Sequence, residues 1–96
     1  MTDTQAITLH ILNKHPDHSR FRSCLDAMAA GDALLLIENA VLALADTGIQ
    51  LPEGTHALQA DCEARGLSGH RHGEVEQLDY TGMTRLTDRF PRLISW

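Results

Sequence analysis

The side chains of this sequence best suited to covalent chemistry are its two cysteines, Cys24 in SCL and Cys62 in ADCEA. A thiol acts as a nucleophile only as the thiolate, so its surroundings decide its use. Cys24 falls on an expected helix, in the first turn or two after Ser19, where the helix dipole lowers a thiol pKa, and Arg20 and Arg22 lie close in sequence. Against this stands the plain alternative that a helix-borne cysteine beside an apolar stripe is a small buried hydrophobe. Cys62 is flanked by Asp61 and Glu63, and neighbouring anions disfavour a thiolate. In a reducing cytoplasm such a separated pair seldom forms a structural disulfide, so the two are read as independent thiols.

Six histidines raise the question of a metal. His15 and His18 share a first loop, and His70 and His72 lie in SGHRHGE with Arg71 between them, a cation that opposes another. No cysteine pair or His-Glu helix motif accompanies them, so no metal is expected. Three carboxylates, Glu38, Asp61 and Asp79, fall at the carboxyl ends of expected strands, where open α/β sheets place ligands. Caps and turns use the same positions, and Asp61 and Asp79 are expected to serve there, with Glu38 the more open case. Dinucleotide binding would need a glycine-rich first turn, and that turn is NKHPDHS. No Walker-type loop occurs, and no cofactor is expected.

The elements that must position these groups follow from the apolar pattern. ITLHIL, residues 7–12, reads as a strand broken by Asn13-Lys14-His15-Pro16. Ser19 is the expected N-cap of a helix whose stripe is Phe21, Leu25, Met28 and Ala29 and which Gly31 can end. Ala33 to Ile37, apolar throughout, suits a central strand covered on both faces. AVLALA, residues 40–45, favours a short helix, and residues 56–60 a third strand, after which Asp61 caps the helical CEARGL. Residues 68–74 read as loop, residues 75–80 as a fourth strand, and Thr81 as the cap of a last helix carrying Met83, Leu86 and Phe90 before Pro91. LISW would add an edge strand. This alternation predicts one α/β domain over residues 1–96, a three-layer sandwich of Rossmann-like topology with a mainly parallel sheet of four or five strands and right-handed crossovers.

Composition narrows the classes of function. With 96 residues, 43% of them hydrophobic, the chain can hold one small core. A formal charge of −5 supplies no basic field for a phosphate backbone, so direct nucleic-acid binding is not expected. The longest apolar run falls far short of the roughly 20 residues needed to span a bilayer, and MTDTQ does not resemble a signal peptide. A cytoplasmic protein without membrane contact is expected.

Taken in order, LHILNKHP, SCL, GDALLLIENAV, ALQADCEARGL, LDYTGMTRLT and the closing Trp96 resemble the small sulfur-relay subunits of the DsrH/TusB family over nearly the whole chain. The resemblance implies a DsrEFH-like fold and membership of a heterohexamer with two homologous subunits, of DsrE/TusD and DsrF/TusC type. Such complexes pass persulfide sulfur between cysteines to a downstream acceptor protein, toward tRNA wobble-uridine 2-thiolation in the TusBCD branch or within sulfur oxidation in the DsrEFH branch. Cys24 matches the DsrH-type cysteine in SCL, whereas the principal sulfur-accepting cysteine of the family lies in the DsrE/TusD-type partner. Many TusB-type members lack a cysteine at the position of Cys24, and Cys62 matches no functional position. Two roles therefore stand side by side: a carrier subunit in which Cys24 holds a persulfide, and a non-catalytic structural subunit in which Cys24 is inert. A stand-alone rhodanese-like enzyme fits less well, because its cysteine would sit in a cradle of backbone amides rather than within a helix.

Overall fold

The computed structural model describes residues 7–67 and 75–96. Its five strands, β1 (Thr8–Leu12), β2 (Ala33–Leu36), β3 (Thr55–Leu58), β4 (Glu76–Leu78) and β5 (Arg92–Ser95), form one sheet in the order β4-β3-β2-β1-β5. Every pairing is parallel. Three α-helices, α1 (Ser19–Ala27), α2 (Gln59–Ala64) and α3 (Tyr80–Asp88), and a 3₁₀ helix over Glu38–Ala45 supply the crossovers.

Strand register divides the core into two layers. Leu34 and Leu36 of β2, with Leu12 and Ala57 beside them, face a cluster completed by Phe21 and Cys24 of α1, Ala40 to Leu44 of the 3₁₀ helix and Cys62 of α2. Leu9, Ala33 and Leu35 face the other way, onto Leu86 of α3. Period-2 alternation in strands buried on both sides explains why β2 reads as unbroken hydrophobicity: it lies at the middle of the sheet and all four of its residues are buried. The expected three-layer parallel architecture is therefore observed, with LISW contributing to the edge strand β5.

Several boundaries and caps differ from the sequence reading. The N-cap of α1 is His18, not Ser19: the imidazole Nδ1 accepts the Arg20 N–H at 3.0 Å. A ring acceptor can do this work as an Asp or Ser oxygen would, a signal lost when caps are sought among the usual residues alone. The helix ends at Ala27, with Met28 as C-cap, before Gly31 is reached. The run around AVLALA winds as a 3₁₀ helix instead of an α-helix. Strand β3 is shifted toward the N-terminus, so α2 begins at Gln59 and Asp61 lies inside its first turn rather than capping it. Asp79, not Thr81, caps α3, with its carboxylate accepting the Gly82 N–H at 2.7 Å, and Tyr80 belongs to the helix instead of β4. Of the loop expected over residues 68–74, all lies outside the described residues, as does MTDTQ.

Candidate functional site

Cys24 is the sixth residue of α1, one turn beyond the free N–H groups at the helix start, where the dipole effect has largely faded. Its neighbours in sequence do not serve it. Arg22 points to Asp26, 3.9 Å away, on an exposed side of the helix, and the Arg20 guanidinium lies 5.3 Å from the centroid of the Trp96 ring. The Cys24 side chain turns inward and is fully buried among apolar groups. Burial pushes its thiol up from 9.0 to about 11, the opposite of the direction that the helix start and the two arginines would give.

Cys62 is equally enclosed, and both cysteines are free thiols. Burial raises its pKa most, Asp61 adds to the rise, Arg65 opposes it, and Glu63 adds a smaller increment, the two anions acting as their flanking positions suggested. An open cleft beside α1, lined by Arg22, Leu25, Gln50, Leu51, Pro52 and Glu53, includes neither cysteine.

The three carboxylates fare differently from one another. Glu38, directly after β2, has φ of 51° and is the single described non-glycine residue in the left-handed region. Asp61 reaches it from α2: its Oδ2 accepts the Glu38 N–H at 2.6 Å. Arg65, one turn on, donates from Nε and Nη2 to Asn39 Oδ1 at 3.2 and 3.1 Å and from Nη1 to the Asp61 carbonyl at 3.1 Å. Glu38, Asn39, Asp61 and Arg65 thus form one polar cluster beside the carboxyl ends of β2 and β3, while Asp79 stands apart as a cap.

The loop histidines are engaged locally. His15 Nδ1 accepts the Asp17 N–H at 3.1 Å, and His18 caps α1. Among the described residues no three His, Cys, Asp or Glu side chains gather as a metal set, and His70 and His72 lie outside them. No described helix is long and apolar enough to cross a membrane.

One constellation was not singled out from the sequence. His10, in the middle of β1 and 2% exposed, sits between Asp32 and Trp96. Its Nε2 is 3.0 Å from Asp32 Oδ2, and its Nδ1 is 3.0 Å from the Trp96 indole nitrogen. Asp32 also accepts the Thr8 N–H and the Ala29 N–H, each at 3.0 Å. Burial alone would raise the Asp32 pKa, but the bonds from Ala29, His10 and Thr8 together outweigh it and hold the carboxyl below its ordinary value. A histidine at the centre of an otherwise apolar strand was the available signal, since a buried imidazole demands partners for both nitrogens.

Fold and site together define a small α/β protein with an all-parallel sheet, whose two thiols are both internal. The family described as DsrH like protein matches residues 14–92. Protein TusB of Escherichia coli (strain K12) is 34% identical over 94 residues, covering 92% of this chain and 99% of that relative. Protein TusB of Enterobacter sp. (strain 638) and that of Serratia proteamaculans (strain 568) are each 35% identical with the same coverage. The chain belongs to the DsrH/TusB family.

Proposed function

We propose that this chain is a subunit of a sulfur-relay complex that serves tRNA thiolation, and that within it the chain is a structural component with an inert Cys24. Its partners are two homologous subunits of TusD and TusC type, assembled as a heterohexamer in the cytoplasm. Persulfide sulfur passes between cysteines of the partner chains and on to a downstream acceptor, and tRNA is met only beyond that acceptor.

The observation that carries the structural reading is the enclosure of Cys24. Persulfide transfer needs an attacking thiolate that a second protein's sulfur can approach within bonding distance. A fully buried thiol with a pKa of about 11 meets neither condition. Membership of the family, with TusB proteins covered almost end to end, supports the relay and its tRNA branch.

The experiment is reconstitution of the complex from its three chains, with wild-type protein and with Cys24→Ala. Sulfur transfer through the complex, read by mass spectrometry of persulfides on each chain and by 2-thiouridine in tRNA, should be equal for the two. A persulfide on Cys24 in the wild-type complex, together with loss of transfer in an intact Cys24→Ala complex, would establish the carrier role instead.

A further inference from the structure

We propose that His10 is a proton-operated latch that holds the Trp96 side chain against the sheet when neutral and releases it when protonated. The hydrogen-bond chemistry of three residues carries the inference. An indole nitrogen can only donate. At 3.0 Å from the Trp96 N–H, His10 Nδ1 must therefore accept, and the proton of the neutral ring resides on Nε2, where it points to Asp32 Oδ2. The two rings lie nearly parallel, 26° apart with centroids separated by 6.0 Å, so the bond joins their edges.

A second proton on His10 can enter only at Nδ1, the atom that accepts from Trp96. The imidazolium has two donors and no acceptor, so two N–H groups would then face each other across the space of one hydrogen bond. The charged groups around the ring decide which side yields. From the turn before β2, the Asp32 carboxylate lies against Nε2, fixed by the Thr8 and Ala29 N–H groups, and its hold on His10 strengthens with the new charge. From α1, the Arg20 guanidinium lies over the indole and opposes a second cation nearby, while the Cys24 thiol in the same core layer is neutral. From β5, the strand neighbour Ile94 adds no charge, and the cation on the same face, Arg92 beside Thr8, is exposed to solvent.

His10 is thus retained in the interior and Trp96 is expelled. Trp96 follows an edge strand whose residues are mostly exposed, and its backbone is joined to the sheet through a bond from its N–H to the Ile11 carbonyl at 2.8 Å. Its indole packs on the margin of the α1-side core. Release uncovers that margin and frees the end of β5 without dismantling β1 to β4. The latch does not depend on the sulfur-relay reading.

Trp96 is the sole tryptophan in the chain, so its fluorescence reports the latch directly. The full chain would be titrated from about pH 8 to about pH 5, the range in which imidazoles change charge. Tryptophan emission, far-ultraviolet circular dichroism and the His10 ring nitrogens by NMR would be followed together. The expected result is an Nε2–H tautomer at the upper end, then a shift of emission toward that of a solvated indole in step with His10 protonation, with the dichroism unchanged. His10→Gln keeps one acceptor and one donor but cannot titrate, and should abolish the shift. The latch is overturned by an Nδ1–H tautomer, by constant emission through His10 protonation, by emission that changes only as dichroism collapses, or by the same shift in His10→Gln. Should the glutamine variant fail to fold, the joint wild-type titration decides alone.

Discussion

The Asp61 carboxylate accepts the Glu38 N–H at 2.6 Å, tying the first turn of α2 to the one described non-glycine residue with positive φ. Left-handed geometry at a residue with a Cβ costs roughly 1–2 kcal/mol and persists only where surroundings impose it. Asp61 supplies that restraint at the point where the chain leaves β2 for the 3₁₀ helix. Replacing it with alanine should remove about 1–2 kcal/mol of stability through the lost charged hydrogen bond. Glu38→Gly should recover part of that loss in the double variant, because glycine adopts the conformation without strain. Urea unfolding of the two single variants and the double variant measures both effects.

Alkylation of the isolated chain at pH 8 should be slow at both cysteines. A thiol at about 11 in place of 9.0 carries roughly a hundredth of the thiolate at that pH, before access is considered. Mass spectrometry of iodoacetamide-treated protein, with and without denaturant, measures the contrast. Rates in native protein that match those in denaturant would contradict the enclosure.

Substitution at Cys24 should rank by polarity instead of size. Cys24→Ala removes one buried heavy atom, a loss of about 1 kcal/mol by analogy with a buried methylene. Cys24→Ser also loses volume, oxygen being smaller than sulfur, and in addition buries a hydroxyl among apolar neighbours, a penalty of about 1–3 kcal/mol. Thermal unfolding should therefore place serine below alanine.

Acid should weaken the fold through Asp32. Its folded pKa lies below the ordinary carboxylate value, so the native chain stays ionised where the unfolded chain has begun to take up a proton. That contribution is complete above the unfolded value of about 4 and disappears as pH falls through the folded one. Asp32→Asn should lower stability by about 2 kcal/mol at neutral pH and flatten the decline below about pH 4, since the substituted side chain no longer titrates. Denaturant midpoints across the acid range test both statements.

Gly54→Ala should cost about 1–2 kcal/mol for reasons of backbone geometry. Its φ is 79°, and an added Cβ would lie 3.4 Å from the Asp32 carbonyl, an ordinary contact, so the left-handed conformation alone bears the penalty. The Gly54 carbonyl accepts the Leu34 N–H at 3.0 Å, which places any adjustment at the entry to β2. Equal stability of the variant and wild type would show that the turn can change conformation freely.

The alternation of strands and helices was legible because β1 and β2 are short, largely apolar runs and the turns between elements carry Pro, Gly and Asn, while β3 and β4 are weaker in composition. ALLLI announced a central strand because both of its faces meet helices. Caps were less legible: His18 displaced Ser19 through an imidazole acceptor, and Asp79, two residues earlier, displaced Thr81. The 3₁₀ winding of Glu38–Ala45 was not legible in its own residues, and the bond that holds its first residue comes from Asp61 of α2, 23 positions on. At the candidate site, sequence neighbours of Cys24 suggested activation, but which way a helical side chain points is set by packing. The His10 triad joins residues from three distant segments, and no local pattern could assemble it.

In the order β4-β3-β2-β1-β5 the first and the last of the described strands are neighbours, and the Trp96–His10 bond spans 86 residues of chain. During synthesis β1 can dock with β2 and β3 long before β5 exists, so one flank of β1 waits with unpaired N–H and C=O groups until the final strand arrives. Such a waiting edge is a template for pairing with another molecule, and closing a contact of this range is slow. The arrival of Arg92–Ser95, secured by Trp96, is the moment at which a newly made chain stops offering that edge to its neighbours.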